Sequence, residues 1–417
     1  MTARPTSSTN SGAIPALTGL RGYAALWVLL SHLFFTDSLS TAVAGRLNPG
    51  LANGLLRHEY LAVDLFFMLS GFVLTHAHAR ELDRGIERGS YVRFLLLRIA
   101  RVYPLHAVAL AGTLAVHFVV PNPLLASNRG CFVLSALMMS SWGFCPGVSW
   151  NAPSWSLSSE WMAYLLLPLV LLCTAGLRRL RTQLVVVGAI LGLFTALFFS
   201  FLLFDVFQFT IDYSNGAGAG ARVMFGVVLG SVLRRLYDQP SIRKLPWTAM
   251  FWLSLPFAAV SMTDLSGRRL DNNAWAYVAV MFLTFAAACA SKRGVFPLSS
   301  RVPVYLGEIS YAVYIFHYPV LLAMRALVGP QLDAIGHRES PIGAQLVLLG
   351  ATLLVLGVAA IAHHTIEEPF RRRARRWIDR RHPVESACGG ATLSPCAPAD
   401  ATKGFSRPSA PGSVPSS

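Results

Sequence analysis

Charge is the scarcest property of this 417-residue chain: Asp, Glu, Lys and Arg make up 13% of it, where a soluble domain carries roughly 25%. That leaves about half the usual means of covering a water-facing surface, which argues against an ordinary soluble domain. Acidic residues are the scarcer sign, 20 against 35 basic ones, for a net charge of +15. Cysteine is limited to six residues, none at the ligand spacing of a structural zinc site. The chain has no GxxxxGK[ST] phosphate cradle and no GxGxxG after a strand. It has no GxSxG nucleophile elbow either, and Ser70, in LSGF, reads as helix packing. No internal repeat is evident.

What the chain has is apolar length. Hydrophobic residues make up 54% and the mean hydropathy is +0.52. Crossing a ~30 Å hydrocarbon core takes about 20 apolar residues in a helix. Ten blocks approach that length, at about 15–36, 59–79, 95–120, 155–176, 182–204, 218–236, 246–263, 273–291, 304–328 and 342–365. The expected fold is all-α, a polytopic membrane helix bundle. The first block, Ala16 to Phe35, lacks a small-residue cleavage site and reads as a signal anchor.

The basic residues lie in short clusters between the blocks. With the N-terminus in the cytoplasm, 22 Lys and Arg fall on the cytoplasmic side and six on the other. The positive-inside rule therefore puts both termini in the cytoplasm and requires an even span count. Clusters of this kind suit anionic lipid headgroups and not nucleic acid. Composition divides the chain into a disordered N-terminus (1–14), a membrane domain (15–376) and a cytoplasmic disordered tail (377–417), rich in Ser, Pro, Gly and Ala. Cys131 and Cys145 share the extracytoplasmic loop between the third and fourth spans. A disulfide there and two free thiols are equally compatible with the sequence.

Ionisable groups inside spans are costly and mark candidate functional sites. The first span carries Arg21 and His32 in LTGLRGYAALWVLLSHL. Eleven residues at about 100° each make close to three turns, so both side chains leave one face about 16 Å apart along the axis. A snorkelling Arg and an interfacial His are the structural alternative. Asp64, in YLAVDLFFMLSGFVL, either orients His32 or caps its helix. Arg98 and Arg101 open the third span on one face. They suit phosphate groups or serve as positive-inside flanks. Glu160, in SWSLSSEWMAYLLLP, lies at the expected depth of His32. It either complements a helix N-terminus or handles acceptor hydroxyls and protons. His317, in LGEISYAVYIFHYPV, reads first as a neutral ring bonded to a neighbouring helix and second as a further proton carrier. His363, His364, Glu367 and Glu368 lie at the inner boundary, where hydration makes charge cheap.

Together these stretches resemble the acyltransferase-3 family of integral membrane acyltransferases. The Arg-x10-His first helix, the VDLFFMLSGF second helix, RxxR before Tyr103-Pro104, SWSLSSEW, LGEISYAVYIFHYPV and the EEPFRR exit occur in the family's order over residues 15–376. The fourth motif departs from the family's paired acids, since Trp161 follows Glu160. The resemblance implies a stand-alone membrane O-acyltransferase of the bacterial inner membrane. It implies acyl-CoA, in the first instance acetyl-CoA, as co-substrate, a carbohydrate or glycolipid hydroxyl as acceptor, and no metal. It further implies His32 as the catalytic residue, with Arg21 paired to it; Asp64 and Glu160 are placed in support, and Arg21, Arg98 and Arg101 against the coenzyme. A proton-coupled transporter or flippase is the rival class.

Overall fold

The computed structural model describes residues 14–35, 54–82, 88–119, 129–145, 150–199, 214–263, 272–290, 295–337 and 341–382. Among them there is no strand. The helices are α1 (Pro15–Phe35), α2 (Tyr60–Leu82), α3 (Arg88–Val119), α4 (Arg129–Ala136), α5 (Ser154–Ala175), α6 (Leu180–Phe199) and α7 (Gly216–Tyr237). They continue with α8 (Trp247–Ser261), α9 (Asn272–Ala290), α10 (Arg301–Glu308), α11 (Ser310–His337), α12 (Pro341–Ala362) and α13 (Glu368–Arg381). A π-helical turn, His363–Glu367, joins the last two.

Each of the ten apolar blocks is occupied by a helix. Among the described residues seven helices are long and apolar enough to cross a membrane; α8 and the apolar part of α9 are shorter, and α1, which carries Arg21 and His32, is not among the seven. The outer surface is that of a lipid-facing protein: Val185, Leu253, Leu349, Leu353 and Ile361 are exposed, and outward-facing leucines and valines cost nothing in hydrocarbon. This is a multi-pass membrane protein.

Because lipid tails are as apolar as leucine, helices in such a bundle associate through close packing and hydrogen bonds. The most extensive seam joins α2 and α7. A Cβ at Gly230 would meet the Met68 carbonyl oxygen at 2.0 Å, so only glycine permits this approach. A buried hydroxyl chain crosses the same seam, with Thr75 Oγ1 donating to Ser231 Oγ (2.9 Å) and Thr174 Oγ1 lying 3.1 Å from Ser231 Oγ.

The expected single ninth span is broken. α10 ends at Glu308 and α11 starts at Ser310, whose Oγ donates to the Gly307 carbonyl (2.8 Å). Gly307 explains the break's position: its backbone is pressed on α1, where an added Cβ would lie 1.8 Å from the Thr18 oxygen. The last helix also differs from expectation. α13 runs to Arg381, past the boundary read at 376, because Ile378 is buried and Arg93 of α3 pairs with Asp379 at 2.6 Å. The remainder of the expected tail, from 383, and the N-terminus before residue 14 lie outside the described residues.

Cys131 and Cys145 form a disulfide. The loop it closes is stitched to the start of α7. Asn215 caps α7 by accepting from Gly216 N (2.9 Å), accepts from Gly143 N (3.0 Å) and donates to the Cys145 carbonyl (2.6 Å).

Candidate active site

Two helices bring three guanidinium groups to one cavity. Arg21 of α1 and Arg98 and Arg101 of α3 line a space of about 110 Å³ with Ser70 of α2, Glu160 and Tyr164 of α5, and Ser310, Tyr311 and Tyr314 of α11. The i, i+3 spacing of Arg98 and Arg101 puts both on the cavity face of α3. They lie well inside that helix, which starts at Arg88, and not at its end as a flanking role requires. Among the described residues none of the three arginines forms an ion pair, and Glu160 is the one carboxylate on the lining. The cavity therefore carries an excess of positive charge.

Glu160 is held in place by two hydroxyls. Tyr164, one turn later, donates to its Oε1 at 2.6 Å, and Ser70 Oγ donates to the same oxygen. The sequence offered Ser70 only a packing role, since its partner is 90 positions away. The Arg98 guanidinium lies over the Phe94 and Tyr164 rings, 5.4 and 5.9 Å from their centroids, an arrangement that lowers the cost of burying a cation. Tyr311 OH donates to the Val102 carbonyl (2.6 Å) and so fastens α11 to α3 beside the cavity.

His32 does not line this cavity. Its Nδ1 is 2.9 Å from the Val28 carbonyl. A carbonyl only accepts, so Nδ1 carries the hydrogen and Nε2 keeps its lone pair. The ring makes edge-to-face contact with His317 at a centroid distance of 4.8 Å. His317 continues the stripe Ser310, Tyr314, His317 on α11, spaced i, i+4, i+7. Arg21 lines the cavity together with Ser310 and Tyr314 of that stripe, and His32 meets the stripe at His317.

Two expectations are corrected. Asp64 does not orient His32: Arg222 of α7 donates from Nε to Oδ1 (2.7 Å) and from Nη2 to Oδ2 (3.0 Å), and both side chains are buried. A carboxylate in an apolar bundle takes a permanent cation in preference to a neutral imidazole, because the ion pair offsets more of the desolvation cost. Glu160, expected with His32, stands instead among the arginines, whose charges it partly balances. Arg222 itself was missed. Its signal was available: an unaccompanied arginine early in the apolar stretch of α7, at a depth close to that of an unmatched aspartate in α2.

His363, His364 and Glu368 bring possible metal-ligand atoms within 4.8 Å of one another. These groups already have partners, since His363 Nδ1 bonds Glu367 Oε2 (2.8 Å) and Arg372 pairs with Glu368.

Residues 14–364 match the family model described as an acyltransferase domain. The chain belongs to the acyltransferase-3 family. The acyltransferase is 29% identical over 408 residues to Acyltransferase MdmB of Streptomyces mycarofaciens, covering 91% of this chain and 96% of that protein. It is 23% identical over 391 residues to O-acetyltransferase OatA of Staphylococcus aureus, covering 86% of this chain but 57% of that longer protein. No solved structure matches it.

Proposed function

We propose that this acyltransferase moves an acyl group, in the first instance acetyl, from acyl-CoA to a hydroxyl of a carbohydrate or glycolipid at the bacterial inner membrane. The observation that carries the reading is the convergence of Arg21, Arg98 and Arg101 on one cavity with a single lining carboxylate. Guanidinium forks pair with phosphate oxygens bidentately, and the coenzyme is a phosphate-bearing molecule with a thin thioester arm. The cavity volume suits part of such a molecule and not the whole.

From there the arm follows α1 toward His32, about 16 Å of helix rise from Arg21. Nε2 of His32 is the atom with a lone pair to spend. It removes the proton of the acceptor hydroxyl as that oxygen attacks the thioester, or it receives the acyl group first. Glu160, held by Ser70 and Tyr164, partly balances the charge of the arginine cluster, and Asp64 acts through the bundle by fixing Arg222.

The test uses membranes from cells with and without the gene, supplied with radiolabelled acetyl-CoA. Label in a base-labile ester of a glycan or glycolipid, lost in His32→Ala with insertion intact, is the expected result. Undiminished labelling in His32→Ala overturns the reading. Label recovered on His32 after rapid quenching selects the covalent route.

A further inference from the structure

His317 is fully enclosed, at 0% exposure, and neither ring nitrogen has a well-formed hydrogen bond to a side chain or to another helix; only the Val313 and Tyr314 carbonyls of its own helix approach it. Its surroundings on α11, Ile315 and Phe316, belong to an apolar core with Leu29 and Leu33 of α1. Leaving a buried polar group unsatisfied costs about 1–3 kcal/mol, and an aliphatic side chain would fill the same space without that cost. Two other buried histidines avoid it in part: His106 Nε2 lies 2.7 Å from the Ser135 carbonyl, and His363 Nδ1 bonds Glu367. His317 is thus not the ring bonded to a neighbouring helix that the sequence suggested first.

Its neighbours give the ring a use. One is His32, in edge-to-face contact at 4.8 Å. A second neighbour is Tyr314, with ring centroids 5.8 Å apart, and Tyr314 lines the arginine cavity. His317 therefore touches the candidate base and neighbours a tyrosine that lines the space assigned to the coenzyme.

We propose that His317 is the second proton carrier of the site, acting as one unit with His32; this rests on the acyl-transfer reading above. As the acceptor oxygen bonds to the thioester carbon, its proton passes to His32 Nε2. The carbon–sulfur bond then breaks and sulfur leaves with the electron pair as a thiolate. The proton crosses to His317 and is delivered to that thiolate. The sum is hydroxyl plus thioester giving ester plus thiol, with no charge left in the bundle. Two touching imidazoles cannot both be cations in an apolar setting, so the pair holds one extra proton between them and titrates as a unit. Among the described residues the titratable groups facing His317 are His32 from α1 and Tyr314 from its own helix, and no charged side chain of α3, α5 or α12 acts on it.

The deciding variant is His317→Gln in the full-length protein, which keeps hydrogen-bonding capacity but carries no titratable proton. With radiolabelled acetyl-CoA and native membranes, kcat should fall about a hundredfold or more while the KM for acetyl-CoA stays within about twofold. The pH–rate profile should lose one ionisation. Acetyl-CoA binding to the purified variant, matched to the parent protein, verifies the fold, and His317→Asn serves as a second variant if Gln does not fit. A wild-type kcat in His317→Gln, or an unchanged pH profile, overturns the proposal. If His32→Ala is inactive while His317→Gln is fully active, only this inference fails; if His32→Ala is active, the acyl-transfer reading fails with it.

Discussion

Arg222 grips both carboxylate oxygens of Asp64, at 2.7 and 3.0 Å, across the seam between α7 and α2. The guanidinium also donates to the Tyr60 carbonyl (3.0 Å) and lies over the Trp155 ring at 5.3 Å. It therefore ties α2, α7 and the start of α5 together. Removing one member of such a pair leaves a buried charge, at a cost of about 3–5 kcal/mol. Arg222→Met alone should lower the unfolding midpoint in detergent sharply. The double variant Asp64→Leu/Arg222→Met should recover most of the loss and remain active. A folded but inactive double variant would give Asp64 a direct chemical role.

The arginine cavity makes a prediction about substrate binding. A charge-assisted hydrogen bond contributes about 1.5–3 kcal/mol, so Arg98→Ala should raise the acetyl-CoA KM about tenfold to a hundredfold. Arg98→Lys should recover part of this, because it restores the charge without the planar fork. A donor KM unchanged in Arg98→Ala and Arg101→Ala alike would remove the cavity from the coenzyme path.

Gly307 sets the position of Arg21 by letting α10 lie directly on α1, against the backbone of Thr18. Gly307→Ala has to push the two helices apart. Overpacking of this kind costs about 1–3 kcal/mol, measurable by thermal unfolding, and the displacement of Arg21 should raise donor KM as well. Gly188→Ala, with open space at its Cβ, is the matched control and should leave both unchanged.

The disulfide between Cys131 and Cys145 closes a loop of sequence separation 14. Chain-entropy reasoning assigns about 3 kcal/mol to a loop of that size. Cys145→Ser, or reduction of the parent protein, should lower the unfolding midpoint. Cys145→Ser should then be insensitive to reductant, whereas Cys173→Ser, which keeps the bond, should respond to reductant as the parent does. Equal midpoints of the parent with and without reductant would show the bond to be dispensable.

Much of this molecule was written in local patterns. Apolar length foretold a helix in each of ten places, since it follows from the chemistry of short segments facing lipid. Arg21, Arg98 and Arg101 were legible for the same reason: a cation inside an apolar helix stands out wherever it occurs. Partnership was not legible. Asp64 found Arg222, Glu160 found Ser70, and His32 met His317 through contacts between helices far apart in the chain. Helix periodicity states which face a side chain leaves, but the neighbour it meets depends on how the helices pack. That packing is decided by close backbone approaches such as those at Gly230 and Gly307, which exist only in the assembled bundle.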